Sequence, residues 1–236
     1  MFRKQAACLG CSLALVISFY SSGVSANIES DPWEGINRSI YQFNKKIDSA
    51  FVKPLAQGYH AVTPDIIETG VHNFFSNLGD VTSLANNILQ LKLDASLTDF
   101  SRIVFNSTFG LAGLIDVATP MGLKSAEEDF GQTLGYWGIT SGPYVVLPLL
   151  GPSSVRDGLA KIPDSSINLW ADEVDHIPTR NSGYAAELLD KRVGLFSVEK
   201  LISGDEYGFV RDAYLQQREF EVKDGQMDGT FNQDDF

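Results

Sequence analysis

Cysteine is nearly missing from this 236-residue chain, and its two copies, Cys8 and Cys11, both lie close to the N-terminus. They fall within a stretch that reads as an export leader. Arg3 and Lys4 give it a basic start, Leu13 to Tyr20 an apolar core, and Ser21 to Ala26 a run of small residues suited to cleavage after Ala26. That core is too short to cross a membrane, which takes roughly 20 apolar residues. Cys11 precedes the apolar core, with Cys8 three residues before it, so neither stands where a lipid-bearing cysteine would. The remainder, from Asn27 to Phe236, then has no disulfide, thiol nucleophile or thiolate metal site. Basic charge is scarce as well. Formal net charge is −12, and setting aside the two basic residues of the leader takes the rest to −14. That balance excludes nucleic-acid binding through a basic surface and adhesion to anionic lipid by charge alone.

Catalytic signatures are absent too. There is no G-x-S-x-G elbow, H-E-x-x-H, P-loop or G-x-G-x-x-G, so no catalytic residue, metal or cofactor is expected. Of the three histidines, His60, His72 and His176, His72 has no second ligand at helical spacing, and Asp175-His176 lacks a nucleophile partner. Glu127-Glu128-Asp129 has no calcium-loop spacing and reads as a solvated edge. Charge disappears altogether from Phe130 to Val155. Gly131, Gly135, Gly138, Gly142, Pro143, Pro148, Gly151 and Pro152 cut that apolar run into pieces that exclude a spanning helix.

What is present is helical periodicity. Ile36, Ile40, Phe43, Ile47 and Ala50 form one stripe over Glu34–Phe51, and Pro54 is expected to close the helix. Thr63-Pro64-Asp65 reads as a helix start with Thr63 as cap, followed by Ile67, Val71, Phe74, Phe75 and Leu78 on one face and an end at Gly79. Asp80 restarts a helix whose Val81, Leu84, Ala85, Ile88 and Leu89 oppose Asn86, Asn87 and Gln90. Asp94 begins another, with Leu97, Phe100 and Val104 in line. Residues 110–160 read as loops and turns, with only Tyr144 to Leu147 suited to extension. Helix resumes over Gly183–Leu201 and Asp205–Glu221. The acidic tail 224–236 lacks apolar periodicity and is expected to be disordered. The fold class is therefore all-α, organised as leader 1–26, helical domain 27–223 and tail 224–236.

The opening Asp31-Pro32-Trp33-Glu34-Gly35-Ile36-Asn37-Arg38 resembles the DPxEGxNR signature of the MlaA (VacJ) family of outer-membrane phospholipid-transport proteins. The resemblance continues through Lys53-Pro54-Leu55-Ala56, Asn106-Ser107-Thr108-Phe109-Gly110 and Asp129-Phe130-Gly131-Gln132-Thr133-Leu134-Gly135. It runs on through Gly142-Pro143-Tyr144, Leu147-Pro148, Gly151-Pro152, Arg156-Asp157 and Arg211-Asp212-Ala213-Tyr214. It implies a ring-like arrangement of amphipathic helices in the outer membrane, with a channel that removes phospholipids from the outer leaflet. It also implies association with a trimeric outer-membrane porin and hand-over to a periplasmic lipid-carrier protein. Many members of that family carry a lipid-bearing cysteine, which this chain does not offer. Gly142, Pro143, Tyr144, Pro148, Gly151 and Arg156 are the candidates for lining a channel or meeting a head group. Asp31, Pro32, Glu34, Asn37, Arg38 and Asp157 are expected to be structural. Arg156-Asp157 reads first as a local ion pair or helix entry, and Asp31 and Pro32 as helix caps and anchors. The competing expectation is a soluble periplasmic helical protein that binds lipid or scaffolds the envelope. It would have a hydrophilic outside and no apolar belt.

Overall fold

Glu34 in the first turn and Lys45 and Lys46 in the last complement the dipole of helix α1, Glu34–Ile47. This is the first element in a computed structural model that describes residues 31–167, 170 and 174–226. The leader with Cys8 and Cys11, and the tail beyond Gln226, lie outside the described residues. Pro54 does not close the first helix. A π-helical segment, Asp48–Val52, leads straight into α2, Lys53–Val62, and Pro54 occupies the first turn of α2. A proline lacks the N–H for the normal helical bond and crowds the carbonyl four residues back. A wider π turn just before it accommodates both defects. Thr63 ends α2 in extended conformation, as a residue before proline tends to, and Pro64 takes the cap position of α3 in its place.

Helix α3, Asp65–Leu89, runs 25 residues without interruption, about 37 Å at 1.5 Å per residue. The break expected at Gly79 does not occur, although a mid-helix glycine costs about 1 kcal/mol. The residues around it, Asn77 and Asp80, are buried against the next helix, and that packing outweighs the local preference. A three-residue turn, Gln90 to Lys92, leads to α4, Leu93–Thr108. Pairings of Asn87 with Asp99, Asp80 with Arg102 and Asn77 with Ser107 set the two helices antiparallel.

The charge-free stretch is more regular than its composition suggests. It forms a short helix α5, Phe130–Tyr136, and an antiparallel hairpin of β1, Tyr144–Leu147, and β2, Gly151–Ser154. The register pairs Tyr144 with Ser154 and Leu147 with Gly151. Helix α6, Val155–Ser165, starts at once, with Ser154 accepting from the Asp157 N–H as its cap. Then come α7, Ile177–Gly194, the single turn α8, Phe196–Glu199, and α9, Glu206–Val222. Asp224, assigned to the disordered tail, instead pairs with Lys92 at the α3–α4 turn.

The hairpin rests on α1. Asn37 donates to the Tyr144 carbonyl at 3.0 Å and accepts from the Val146 N–H at 2.9 Å. Asn44, two turns on, donates to the Leu147 carbonyl at 2.9 Å and accepts from the Leu149 N–H at 2.8 Å. The two amides thus serve as a surrogate strand for the free edge of β1. Tyr144, Val146 and Tyr207 form a small buried cluster there, flanked by Ile40, Tyr41, Tyr214 and Leu215. Replacing Asn37 by Ala leaves a buried N–H and C=O unpaired, so Asn37→Ala is expected to lower unfolding stability by about 2–4 kcal/mol. Asn44→Ala, at a more exposed position, is expected to cost less. Denaturant unfolding of both variants checks the order.

Candidate functional site

Helices α3 and α4 are arranged inside out. On α3 and its cap, Asn77, Asp80, Ser83, Asn87 and Gln90 recur at three- and four-residue spacing, and on α4 so do Ser96, Asp99, Arg102 and Asn106. Every one of them is buried. The apolar stripe that would ordinarily seek a core faces outward. On α3 Ile88 and Leu89 are exposed, and on α4 Leu93 is 72% exposed, Leu97 64% and Phe100 56%. Two polar faces meet and the oily faces are left free.

The buried face is held by directional bonds. The Arg102 Nε donates to Asp80 at 2.9 Å, and its Nη1 donates to the Thr119 hydroxyl at 2.9 Å and the Leu123 carbonyl at 2.7 Å. Ser125 donates to the other Asp80 oxygen at 2.7 Å. Ser83 and Asn87 both donate to one oxygen of Asp99, at 2.7 and 2.8 Å. Gln90 donates to Glu128 at 2.8 Å and to Thr133 at 3.0 Å. Burial pushes the Asp80 and Glu128 carboxyls above their ordinary values, and the neighbouring donors only partly offset that. Among the described residues, the second oxygen of Asp99 and the side-chain oxygens of Asn87 and Gln90 make no hydrogen bond. Buried acceptors of that kind call for water or a polar guest.

The residues expected from the sequence to meet a head group sit elsewhere. Tyr144 is buried among Tyr207 and Tyr214, with ring centroids 6.2 and 6.0 Å away. Gly142 and Gly151 have φ of +70° and +81°, so they serve the bends of the hairpin, which Pro143 and Pro148 flank. Arg156 is buried and bonded to Asp157 at 2.8 Å, the local pair read from the sequence. None of these six lines the cavity described below. The signature residues are anchors. Asp31 accepts from Asn37 at 2.8 Å and from the Tyr207 hydroxyl. Its carboxylate does not cap α1, whose cap position belongs to Trp33 without a side-chain bond, and Pro32 precedes it. Arg38 bridges Glu34 at 2.6 Å and both oxygens of Asp205, and lies 4.3 Å from the Tyr207 ring centre.

Asp157 is the hub of a second ion cluster. It takes bonds from Arg156, Arg218 and the Tyr214 hydroxyl, while Arg218 also grips both oxygens of Asp129 at 2.8 and 2.9 Å. The Asp129 side chain also caps α5. The acidic run at 127–129 is therefore not a plain solvated edge: Glu128 and Asp129 are built into networks, and only Glu127 is exposed. Gly131 and Gly135 let this cluster approach. A Cβ would lie 2.6 Å from Asp157 at the first and 2.7 Å from Arg156 at the second. The histidines have structural contacts. His176 caps α7 through Thr179, His72 meets Asp190 at 3.0 Å, and His60 meets Glu68.

A cavity of about 410 Å³ opens between α3, the segment 125–128, the end of α6, Trp170 and α7. Aromatic and acidic side chains line it together, among them Phe75, Trp170, Glu127, Glu128, Asp164 and Asp190. The sequence reading did not find it, because its walls come from segments more than a hundred residues apart. Gly183 makes room for Trp170 there: a Cβ at Gly183 would stand 2.3 Å from the indole.

Burial alone would raise the Asp157 carboxyl, but Arg218 and Arg156 hold it well below the usual carboxylate range. A lowered folded-state value means that the stabilisation is complete above the unfolded value, about 4, and drains away as pH falls below it. Asp157→Asn is expected to lose about 3–5 kcal/mol at neutral pH, as breaking a buried pair does. It should also show a shallower loss of stability below about pH 4 than the parent, which acid titration of the unfolding free energy measures.

The sequence matches the MlaA lipoprotein family over residues 29–221. An uncharacterized Rickettsia typhi protein is 40% identical over 127 residues, covering 54% of this chain, and the match spans only about half, 51%, of that relative's length. The Escherichia coli K12 intermembrane phospholipid transport system lipoprotein MlaA is 31% identical over 233 residues, covering 95% of this chain and 90% of its own. A solved structure that concerns maintenance of bacterial outer membrane lipid asymmetry superposes with a TM-score of 0.71 at 31% identity. The superposition covers 82% of this chain and 99% of the other. With the family match running through nearly all the described residues, the chain belongs to the MlaA lipoprotein family.

Proposed function

We propose that this protein is the outer-membrane component of a retrograde phospholipid transport system, taking phospholipids from the outer leaflet and passing them inward to preserve lipid asymmetry. The observation that carries this reading is the inverted polarity of α3 and α4, with charged and amide side chains inside and Ile88, Leu89, Leu93, Leu97 and Phe100 outside. A soluble lipid-binding or scaffold protein would bury those apolar stripes. An acyl environment gives them a solvent, and a polar interior gives a charged head group a route that avoids unpaired charge in hydrocarbon. Transfer of this kind makes and breaks no covalent bond, so the role is not enzymatic. In this reading the helices wall a channel, a trimeric porin steadies the protein in the membrane, and a periplasmic carrier receives the lipid.

Attachment does not call for a lipid-bearing cysteine. Among the described residues no helix is long and apolar enough to cross a membrane, so the contact is made by exposed faces. Full burial of a Leu or Phe side chain yields about 1.5–3 kcal/mol. Partial burial of Leu91, Leu93, Leu97, Phe100 and their neighbours therefore matches the roughly 5–6 kcal/mol of one myristoyl chain.

Cells lacking the protein should expose phospholipid in the outer leaflet, and restoring the gene should reverse it. Equal exposure in both would overturn the function. The mature protein should fractionate with the outer membrane, and Leu97→Glu with Phe100→Glu should shift it to the soluble periplasmic fraction while its helical content is retained.

A further inference from the structure

The cavity beside α3 has chemistry of its own. Of the five carboxylates lining it, three have basic partners. Glu128 meets Lys92 at 3.1 Å, Glu187 meets Lys191 at 2.6 Å and Asp190 meets His72 at 3.0 Å. Glu127 and Asp164 form no ion pair among the described residues. Asp164 accepts the Phe130 N–H at 3.1 and 3.2 Å and a bond from the Asn86 side chain, with Lys161 nearby, so Glu127 is the carboxylate left without such partners. Glu127 is held with φ at +53°, a left-handed backbone that a glutamate seldom adopts, and it lines the cavity.

Phe75 and Trp170 line the same cavity and are fitted to one another. The Trp170 ring meets Phe74 and Phe75 edge-on at centroid distances of 5.8 and 6.2 Å, and its Nε1 donates to the Arg180 carbonyl at 2.9 Å. Gly183 leaves room for the indole on α7. An indole and a phenyl ring lining one cavity with a carboxylate that has no ion pair form the arrangement that attracts an organic ammonium ion, through the ring quadrupole and through Coulomb attraction. The volume, about 410 Å³, is in the range of small-ligand sites and suits a polar head group rather than two acyl tails. Lys191, bonded to Glu187, and His72, bonded to Asp190, line the same cavity.

We infer that this cavity is a head-group site for the ammonium of a zwitterionic, amine-bearing phospholipid, and that it discriminates against lipids of net negative charge. The inference rests on the transport reading and adds the selectivity of the path. Its acids repel a net-anionic head group, and its aromatic wall has no special affinity for a neutral polyol.

The test uses the full-length mature protein in detergent, offered an equimolar mixture of phosphatidylethanolamine and phosphatidylglycerol, with the bound lipids counted by native mass spectrometry. The parent is expected to hold the amine-bearing lipid in about five- to tenfold excess, the size of one partly screened charge contact. Glu127→Lys should bring the ratio close to one, and Trp170→Leu should lower it without increasing the anionic lipid. Glu127→Gln, which keeps the size of the side chain, should fall between parent and Glu127→Lys with an unchanged melting temperature. Adding free ethanolamine separates the sources of the amine. Displacement of the bound lipid shows that the ammonium alone is recognised, and retention with the preference intact shows that recognition needs the tethered head group. Equal uptake of both lipids by the parent, or a ratio untouched by Glu127→Lys, overturns the selectivity and leaves transport standing. A parent that holds neither lipid removes the transport reading and this inference with it.

Discussion

The ion pair between Asp80 and Arg102 fixes which way the longest helix faces. Both side chains are almost wholly buried and lie 2.9 Å apart. A buried charge that loses its partner is far more costly than one that never formed. Once α3 and α4 have zipped along this contact, Asn77, Ser83, Asn87, Asp99 and Asn106 are carried inward with it. The apolar residues on the opposite arcs have no choice but the outside. Exposure of Leu97 and Phe100 is thus a consequence of the polar seam, and the hydrophobic effect, which usually orients a helix, is satisfied only by a surrounding that is itself oily. A soluble fold would gain nothing from this arrangement.

The sequence is legible wherever a single helix decides its own fate. The stripes at 36–47, 67–78 and 97–104 give helices at those places, and Tyr144 to Leu147 extends as its β-branched and aromatic content favours. Punctuation is read less well. Pro54 and Gly79 look like stops and are not, because a π segment absorbs one and tertiary burial overrides the other. Direction is not legible from one helix at all. An amphipathic pattern says that two faces differ and leaves open which of them meets the core. The spacing of Asn77, Asp80, Ser83, Asn87 and Gln90 is as regular as that of the leucines. Read as a seam of its own, it would have indicated an inward polar face.

The candidate site shows the same division. Glycine and proline between 142 and 151 do turn the chain tightly, but what they build is a hairpin docked on two asparagines of α1. Asn37 and Asn44 are seven residues apart, a spacing visible in the sequence. Their partners lie more than a hundred residues further on, where no local pattern points. The cavity is less legible still, since Trp170, Glu127 and α3 come together only through the fold.

The segment from Phe130 to Val155 has no charge of its own, yet charges from its borders converge on it. Asp129 caps its first helix, Arg156 and Asp157 begin the helix that follows its hairpin, and Arg218 reaches in from α9 to bind both acids. Side chains at 131 and 135 would fill the space these groups need, so glycine is required there by the ions and not by the backbone. A further charge inside the segment would compete for the same partners and leave one of them buried and unpaired. The bare stretch is therefore the packing surface of an ion cluster. That cluster ties α5, α6 and α9 together, and the end of α6 goes on to form one wall of the cavity with α3, α7 and Trp170.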